Sequence, residues 1–600
     1  MTEPSPAPTP SAADTTAADA IRSGRATLGI ELGSTRIKAC LVGDDPSDVL
    51  AVGSFEWDNE FTDRRWTYSL ENVWAGIQSA YAGLVSDVQA RHGVLPTSFG
   101  AIGISAMMHG YLAFDEAGDL LVPFRTWRNT TTGPAAAELT ESFGVNIPLR
   151  WSIAHLHQAV LDAEPHIPDV RHITTLAGYV HWRLTGRTVL GVGDASGMFP
   201  IDSRTNDYDA ALIERYDALA DGRVPGASVA GLLPEVLVAG EPAGELTSDG
   251  ARLLDPTGAL RPGIVLCPPE GDAGTGMVAT RSVAPRTGNV SAGTSIFAMV
   301  VLEHPLAEVH HELDLVTTPA GDPVAMVHCN NGASELAAWA AMFGRFAAAA
   351  GTPLDNDAVF DTLFREALTG EADAGGLLAY NHLAGEPIAG LEEGRPLIVR
   401  TPDSRLTLAN FIRAELYGVF GTLSLGMRVL AAEGVAIDEL FAHGGMFRTA
   451  GVAQRFLAGA LDAPVTVTET ASEGGAWGIA VLAAYVSARA AVGGGGAGAG
   501  AGASAGDGSA VGTGVGAGAG ASAGDGSAAG TGVATDGTSD PTSARGTGLD
   551  LDAYLRDHVF AGTDFTTAEP DPLDVAGFAS YLERYRAGLA VEQVAVERLR

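Results

Sequence analysis

The stretch Leu28–Leu41, reading LGIELGSTRIKACL, constrains this chain more than any other. Leu28, Ile30 and Leu32 alternate with Gly29, Glu31 and Gly33, and a second alternation runs through Ile37, Ala39 and Leu41. Two short strands therefore meet at Gly33-Ser34-Thr35. Such a turn offers backbone N–H groups and two hydroxyls, which suit a phosphate, and Glu31 beside it is a carboxylate able to hold Mg²⁺ or its waters. An ordinary hairpin with a polar tip would read the same way. Lys38, the only lysine in the sequence, lies a few residues beyond and hints at a further phosphate contact.

That lysine also excludes chemistry. It is followed by Ala39, so no Gly-Lys-Ser/Thr phosphate loop exists. The lysine-based pyridoxal enzymes are disfavoured for the same reason. A nucleoside triphosphate would have to be held by turns and carboxylates.

The chain carries 72 acidic against 36 basic side chains, a net charge of −36, which disfavours nucleic acid and anionic membrane surfaces as partners. Its 600 residues, 46% of them apolar, are enough for several cores. Cys40, Cys267 and Cys329 lie too far apart for a disulfide framework or a zinc cluster, which fits a reducing cytoplasm. Residues 1–26 open with a run rich in Pro, Ser, Thr and Ala that has no basic or apolar signal region, and they read as a disordered arm. No uninterrupted apolar run reaches membrane-spanning length, the nearest being Ile479–Tyr485.

After the hairpin, Val73, Trp74, Ile77, Tyr81 and Leu84 recur at helical spacing, which predicts a helix over Asn72–Val88. A strand, Ala101–Ser105, then runs into Ala106-Met107-Met108-His109-Gly110, where His109 is either a ligand-reaching residue or a hydrogen-bonded core histidine. Trp127, Arg128 and Asn129 could line the same pocket. Gly193-Asp194-Ala195-Ser196-Gly197 reads as a polar loop of small residues. An apolar strand, Gly263–Cys267, delivers Glu270-Gly271-Asp272-Ala273-Gly274, and Asp272 is either a general base at a strand end or a helix N-cap.

Gly274-x-Gly276-x-x-Ala279 is only a partial dinucleotide fingerprint, since Pro285 cuts the following helix short. Gly293-Thr294-Ser295, before the strand Ile296–Leu302, echoes the first turn, and the two could clamp a polyphosphate from opposite sides. Leu408–Leu430 is a long core helix. Gly444-Gly445-Met446-Phe447 follows the strand Leu440–His443, and Glu473-Gly474-Gly475-Ala476-Trp477-Gly478 follows Val465–Val467. Paired glycines at a strand end let a flat base or ribose lie against the backbone. Residues 491–548 are Gly/Ala-rich, with an imperfect repeat, and read as a linker. The tail 549–600 places Phe578, Tyr581, Leu582, Tyr585 and Leu589 on one helical face, which predicts docking on the body.

In this order the motifs resemble those of the FGGY family of carbohydrate kinases. GIELGSTRIK and SAGTS resemble its two phosphate loops, SAMMHG the sugar loop, EGDAGTG the catalytic-base loop, and GGMF with EGGAWG the adenosine region. The resemblance implies an α/β chain of two actin-like ATPase (ribonuclease H-like) domains, 27–283 and 284–490, with sugar and ATP in the cleft between them. It implies Asp272 as general base, and Met108, His109, Gly110 and Trp127 around the sugar. ATP would be held by Gly33, Ser34, Thr35, Lys38, Gly293, Thr294, Ser295, Gly444, Gly445 and Met446, with Glu31 at Mg²⁺. It implies a small-molecule sugar as partner, no nucleic acid and no membrane, and a homodimer is compatible with it.

The Met-His-Gly loop is similar to that of xylulokinases. Glu31 stands where the family normally has Asp, and Trp127-Arg128-Asn129-Thr130-Thr131 departs from the usual Trp-Asn-Asp-x-Arg. These departures leave ribulose, another ketose or a polyol open as substrate. A sugar-binding regulatory protein and a dinucleotide-linked oxidoreductase are the competing classes.

Overall fold

The computed structural model describes residues 12–467, 474–495 and 549–599. The described residues up to Ser487 and from Leu551 onward form one compact unit, and the end of one helix belongs to a second, Ala488–Asp550. The Gly/Ala-rich repeat and Glu473 lie outside the described residues.

Two sheets of the same plan organise the first unit. In the N-lobe, β1 (Thr27–Leu32), β2 (Arg36–Val42) and β3 (Val49–Glu56) run as an antiparallel meander, while β4 (Ile102–Ala106) and β5 (Glu270–Gly271) add in parallel on the other side of β1. The order is β5-β4-β1-β2-β3. In the C-lobe, β6 (Thr287–Ala292) takes the place of β1, β7 (Ile296–Val301) that of β2, and β9 (Pro323–Cys329) that of β3. There β10 (Glu439–His443) and β11 (Val465–Val467) are the parallel pair. Two further edge strands, β8 (Leu313–Thr317) beside β9 and β12 (Thr566–Ala568) beside β11, widen this sheet to seven.

Each lobe builds its own core. Leu28, Ile30 and Leu32 of β1 are fully buried on one face of the N-lobe sheet. The predicted arm contains instead a helix, α1 (Ala12–Arg22), whose Ala18 and Ile21 are buried in this core, because an alanine-rich run followed by isoleucine can present one apolar face to the sheet. Helix α2 (Leu70–His92) starts where the Ser69 side chain accepts from Asn72 N–H and ends at Gly93, in the left-handed region. Helix α3 (Leu176–Thr185) stops at Gly186 in the same way.

Gly193–Gly197 corrects the sequence reading. It is no exposed loop but part of a buried turn, α4 (Val192–Ala195) and the residues after it. The expected strand Gly263–Cys267 is reduced to isolated bridges at Val265 and Leu266, and the sheet partner is β5. Helix α5 (Asp272–Ala279) is only eight residues long, too short for the dinucleotide reading of its glycines.

In the C-lobe, α6 (Leu408–Ala432) is buried along nearly its whole length. Helix α7 (Gly475–Gly495) runs five residues into the expected linker, since Ala-rich sequence continues a helix until glycines accumulate. By length and composition its Gly475–Val492 stretch is apolar enough to cross a membrane, but most of that stretch is buried against protein. Helix α8 (Pro572–Arg598) lays Phe578, Tyr581, Leu582 and Tyr585 into the C-lobe core. It is tied there by a buried ion pair, Arg413 with Asp574, which Arg455 joins at 2.6 Å, and by His382 against Glu592 at 2.8 Å.

Candidate active site

The two β-turns that echo each other in sequence sit at equivalent places in the two sheets, and both reach one cavity. Gly33-Ser34-Thr35 joins β1 to β2, and Gly293-Thr294-Ser295 joins β6 to β7. Ser34 from one lobe and Ser295 from the other line a cavity of about 1200 Å³, together with Met108, His109, Trp127 and Asp272. Backbone hydrogen bonds fix both turns. Gly33 N–H donates to Arg36 O at 3.0 Å, Trp57 Nε1 donates to Gly33 O at 2.8 Å, and Tyr68 OH donates to Ser34 O at 2.6 Å. Opposite, Gly293 N–H donates to Ser295 O at 2.9 Å, and Gly332 N–H donates to Thr294 O at 2.7 Å. Thr35 and Thr294 are exposed beside them.

Asp272 enters the cavity from the first position of α5, directly after β5, with Gly271 as the capping residue. The strand-end and helix-start readings are thus both realised, one residue apart. Burial pushes its carboxyl up, while Met108 N–H, donating to Oδ1 at 3.1 Å, the first amides of α5 and the charge of Arg150 pull it down. A buried carboxylate held by amides on a helix start and open to a cavity is equipped to accept a proton.

The loop after β4 bends sharply. His109 has φ +71° and Gly110 φ +90°, and a non-glycine residue held there stores about 1–3 kcal/mol. The bend aims Met108 and His109 at the cavity. Burial, with Arg150 adding to it, pushes His109 well below its usual value, and His328 on the opposite wall is pushed down to about 4. Both imidazoles are neutral at pH 7. Gly110 is not on the cavity wall: its N–H donates to Arg150 O at 3.2 Å, and a Cβ there would stand 2.7 Å from Arg125 O. It shapes the loop and offers the sugar no surface.

Glu31 and Lys38 are directly opposed across β1 and β2. Glu31 Oε1 points toward the start of α7, where a Cβ on Gly475 would stand only 2.3 Å from it and 2.9 Å from Thr275 Oγ1. Thr275 lies one turn after Asp272 and is itself 3.2 Å from Ser105 Oγ. Glu31 and the Asp272 helix are therefore joined through Thr275 and Gly475. The carboxylate is a hard oxygen donor of the kind a divalent cation such as Mg²⁺ takes, but it is packed closely on Gly475, and neither Glu31 nor Lys38 is among the residues that line the cavity.

The adenosine-region residues separate. Gly444, at φ +112°, packs so closely on the end of β6 that a Cβ would stand 2.2 Å from Ala292 O, whereas a Cβ on Gly445 would meet open space. Met446 is buried in the C-lobe core, because the short turn Gly445–Phe447 directs it inward, so its side chain is not on a nucleotide surface. Gly475 and Gly478 pack on Glu31 and on the Thr275 backbone and leave no face for a base. Asn129 also departs from expectation. It is buried and exchanges hydrogen bonds with the Trp66 backbone at 2.9 and 2.8 Å, while Trp127 and Arg128 reach the cavity.

Sequence reasoning missed Arg150, Asp314 and His328, all on the cavity wall. Arg150 forms an ion pair with Asp314, and Asn146 Nδ2 donates to Leu313 O at 2.9 Å, so the N-lobe loop is latched to β8 of the C-lobe at the cavity.

Comparison with known proteins agrees with this geometry. The chain matches the model of the N-terminal domain of the FGGY family of carbohydrate kinases over residues 26–259 and that of its C-terminal domain over 288–487. Solved structures of similar fold include a xylulose kinase from Rhodospirillum rubrum (20% identity, TM-score 0.69, covering 96% of this chain and all of that one). A gluconate kinase from Lactobacillus acidophilus is also similar (15% identity, TM-score 0.67, covering 95% and 99%). A curated glycerol kinase from Nocardia farcinica is 25% identical over 37% of this chain and 45% of its own length, and one from Thermococcus kodakarensis is 23% identical over 32% and 40%. The matched region thus spans less than half of either curated relative. With both domain models matched in order and two actin-like ATPase domains in the fold, the chain belongs to the FGGY family of carbohydrate kinases.

Proposed function

We propose that this protein is an ATP-dependent sugar kinase that phosphorylates a pentulose, D-xylulose first. The observation that carries the reading is that Asp272 shares one cavity with Ser34 and Ser295, one hydroxyl from each of two opposed glycine turns. In this reading Asp272 takes the proton of the attacking sugar hydroxyl. The new O–P bond forms as the bond from the γ-phosphorus to the ADP oxygen breaks, and Asp272 then returns its proton to water. Phosphoryl transfer asks a protein mainly for alignment and for compensation of spreading negative charge. The turn amides and the hydroxyls of Ser34, Thr35, Thr294 and Ser295 supply the cradle, with Gly33, Gly293 and Gly445 giving the backbone access and Gly444 seating that turn on the end of β6. Lys38 supplies positive charge. Glu31 is the residue that would hold Mg²⁺, which neutralises phosphate charge when bound. Met108, His109 and Trp127 would face the sugar.

Turnover of ATP to ADP over a panel of ketoses and polyols, with Asp272→Asn as control, tests the reading. Ketose-stimulated turnover that the variant loses supports it. Sugar binding without turnover would replace it with a regulatory protein. Glycerol as the best acceptor would move it to a polyol kinase, a second reading favoured by the similarity to the two glycerol kinases.

A further inference from the structure

Behind the face that Asp272 presents to the cavity lies a second aspartate that the reaction just described does not use. Asp194, in α4, has no exposed surface. Its Oδ2 accepts from Thr175 Oγ1 at 2.6 Å, and that hydroxyl in turn accepts from Gly178 N–H as the N-cap of α3. Its Oδ1 has no hydrogen-bond partner. That oxygen is directed at Gly271, the residue joining β5 to the base, where a Cβ would stand 3.2 Å from it.

Three carboxyls thus lie close together where α4 packs beside β5 and the start of α5. They are not equally provided for. Asp272 has Met108 N–H, the start of α5 and Arg150. Glu270 accepts from Gly193 N–H at 3.3 Å and Asp194 N–H at 3.0 Å, and Gly191 and Gly193 are glycines where its carboxyl needs the room. Burial and the neighbouring Asp194 still push it well above the ordinary carboxylate value, so it is the rival holder of the proton, and the backbone N–H groups aimed at it are what favour its charged form over that of Asp194. Asp194 has a single hydroxyl. The titratable groups acting on it or acted on by it are Asp272, Glu270 and the buried phenol of Tyr208, acids all. On the far side of α4, the neutral His109 ring lies 3.3 Å from Gly197 O, and Thr317 of β8 donates to Val192 O; Arg150, paired with Asp314, acts on Asp272 and not on Asp194. Three adjacent buried carboxylates do not all ionise.

We propose that Asp194 is the carboxyl that keeps its proton in the resting protein, a positioning residue that stays neutral so that Asp272 can stand ionised at the cavity. The inference rests on reading Asp272 as the base. Burial pushes Asp194 up to about 7, so its proton leaves near neutrality, placing a charge behind Asp272 and strengthening it as a base. The sign for stability follows. The unfolded carboxyl ionises near 3.8 and the folded one near 7, so stability falls between those values as pH rises and is level above them.

The test is Asp194→Asn in the full chain, followed by infrared difference spectroscopy, by melting temperature against pH, and by turnover against pH. The wild type should show a protonated-carboxyl band that titrates near neutrality and is absent from the variant. The variant should melt higher than wild type at alkaline but not at acid pH, and its turnover profile should lose one ionisation near neutrality. A band unchanged in Asp194→Asn but lost in Glu270→Gln would put the proton on Glu270 and overturn the assignment. If Asp194→Asn does not fold, Thr175→Val removes the one donor to the charged form and should move the titration to higher pH; an unmoved midpoint overturns the proposal. Absence of turnover on every sugar would sink the reading of Asp272 as a base, while the infrared band and the melting curves still decide where the proton sits.

Discussion

The two lobes repeat one sheet plan and have parted in chemistry. Glu31 is the fifth residue of β1 and faces Lys38 on β2; Ser291 is the fifth residue of β6 and faces Phe297 on β7. One hairpin therefore presents a charged pair where its counterpart presents a hydroxyl and a ring that lines the cavity. The acids Asp194, Glu270 and Asp272 all belong to the N-lobe, and the exposed Thr294 and the open backbone of Gly445 belong to the C-lobe. A duplicated scaffold can divide labour in this way because strand order fixes where the turns lie and leaves the side chains on them free. In the proposed reading one lobe moves protons and holds metal, and the other offers a neutral cradle.

The largest effect expected from this contrast is at Asp272, the base of the proposed reaction. Asp272→Asn should lower turnover by roughly 10²–10⁴-fold, the range of a lost general base, with the melting temperature preserved. Next comes the ion-paired seam between α8 and the rest of the C-lobe. Asp574→Ala leaves Arg413 buried without its carboxylate and should cost about 3–5 kcal/mol, read by calorimetry as a lowered transition of the C-lobe with the N-lobe transition unmoved. Equal shifts in both would mean that the lobes unfold as one.

The hairpins can be compared directly. Glu31→Gln should cost about 100-fold in turnover and raise the Mg²⁺ needed for half-maximal rate, the scale of a few kcal/mol of charge stabilisation, whereas Ser291→Ala should change it less than about threefold. Equal losses would break the division of labour. The smallest effect concerns stability alone. Burial pushes Glu415, in α6, up to about 8, and neither of its carboxyl oxygens has a hydrogen-bond partner. The C-lobe should therefore lose stability as pH rises from the unfolded carboxyl range to about 8, and Glu415→Gln should remove that slope without altering turnover.

Local backbone demands explain what was legible from sequence. The turns at Ser34 and Ser295 need glycine beside hydroxyls, a strand end must deliver Asp272, and α3 must stop at Gly186; each leaves a mark within a few residues. Arg150, Asp314 and His328 leave none. They reach the cavity because Gly110 holds the Arg150 carbonyl, Arg150 pairs with Asp314 across 164 positions of sequence, and the β8–β9 pairing carries Asp314 and His328 to the same wall. Asn129 was misjudged because a polar side chain beside a pocket tryptophan looks like a ligand until its backbone partners at Trp66 are seen. The helix at Ala12–Arg22 was hidden by its alanines, whose value depends on the surface they meet.

Helix α7 follows the C-lobe sheet strand β11, yet it lies on the N-lobe. A Cβ on Gly29 would stand 2.2 Å from Ala476 O, one on Gly103 would stand 2.6 Å from Ile479 O, and one on Gly478 would stand 2.3 Å from Thr275 O. Backbone seated on backbone leaves no compliant side chains to slide. If the halves swing, this helix is the axle: the spacing between Glu31 and the Asp272 helix stays constant through the stroke, and the reach to Ser295 is the length that changes.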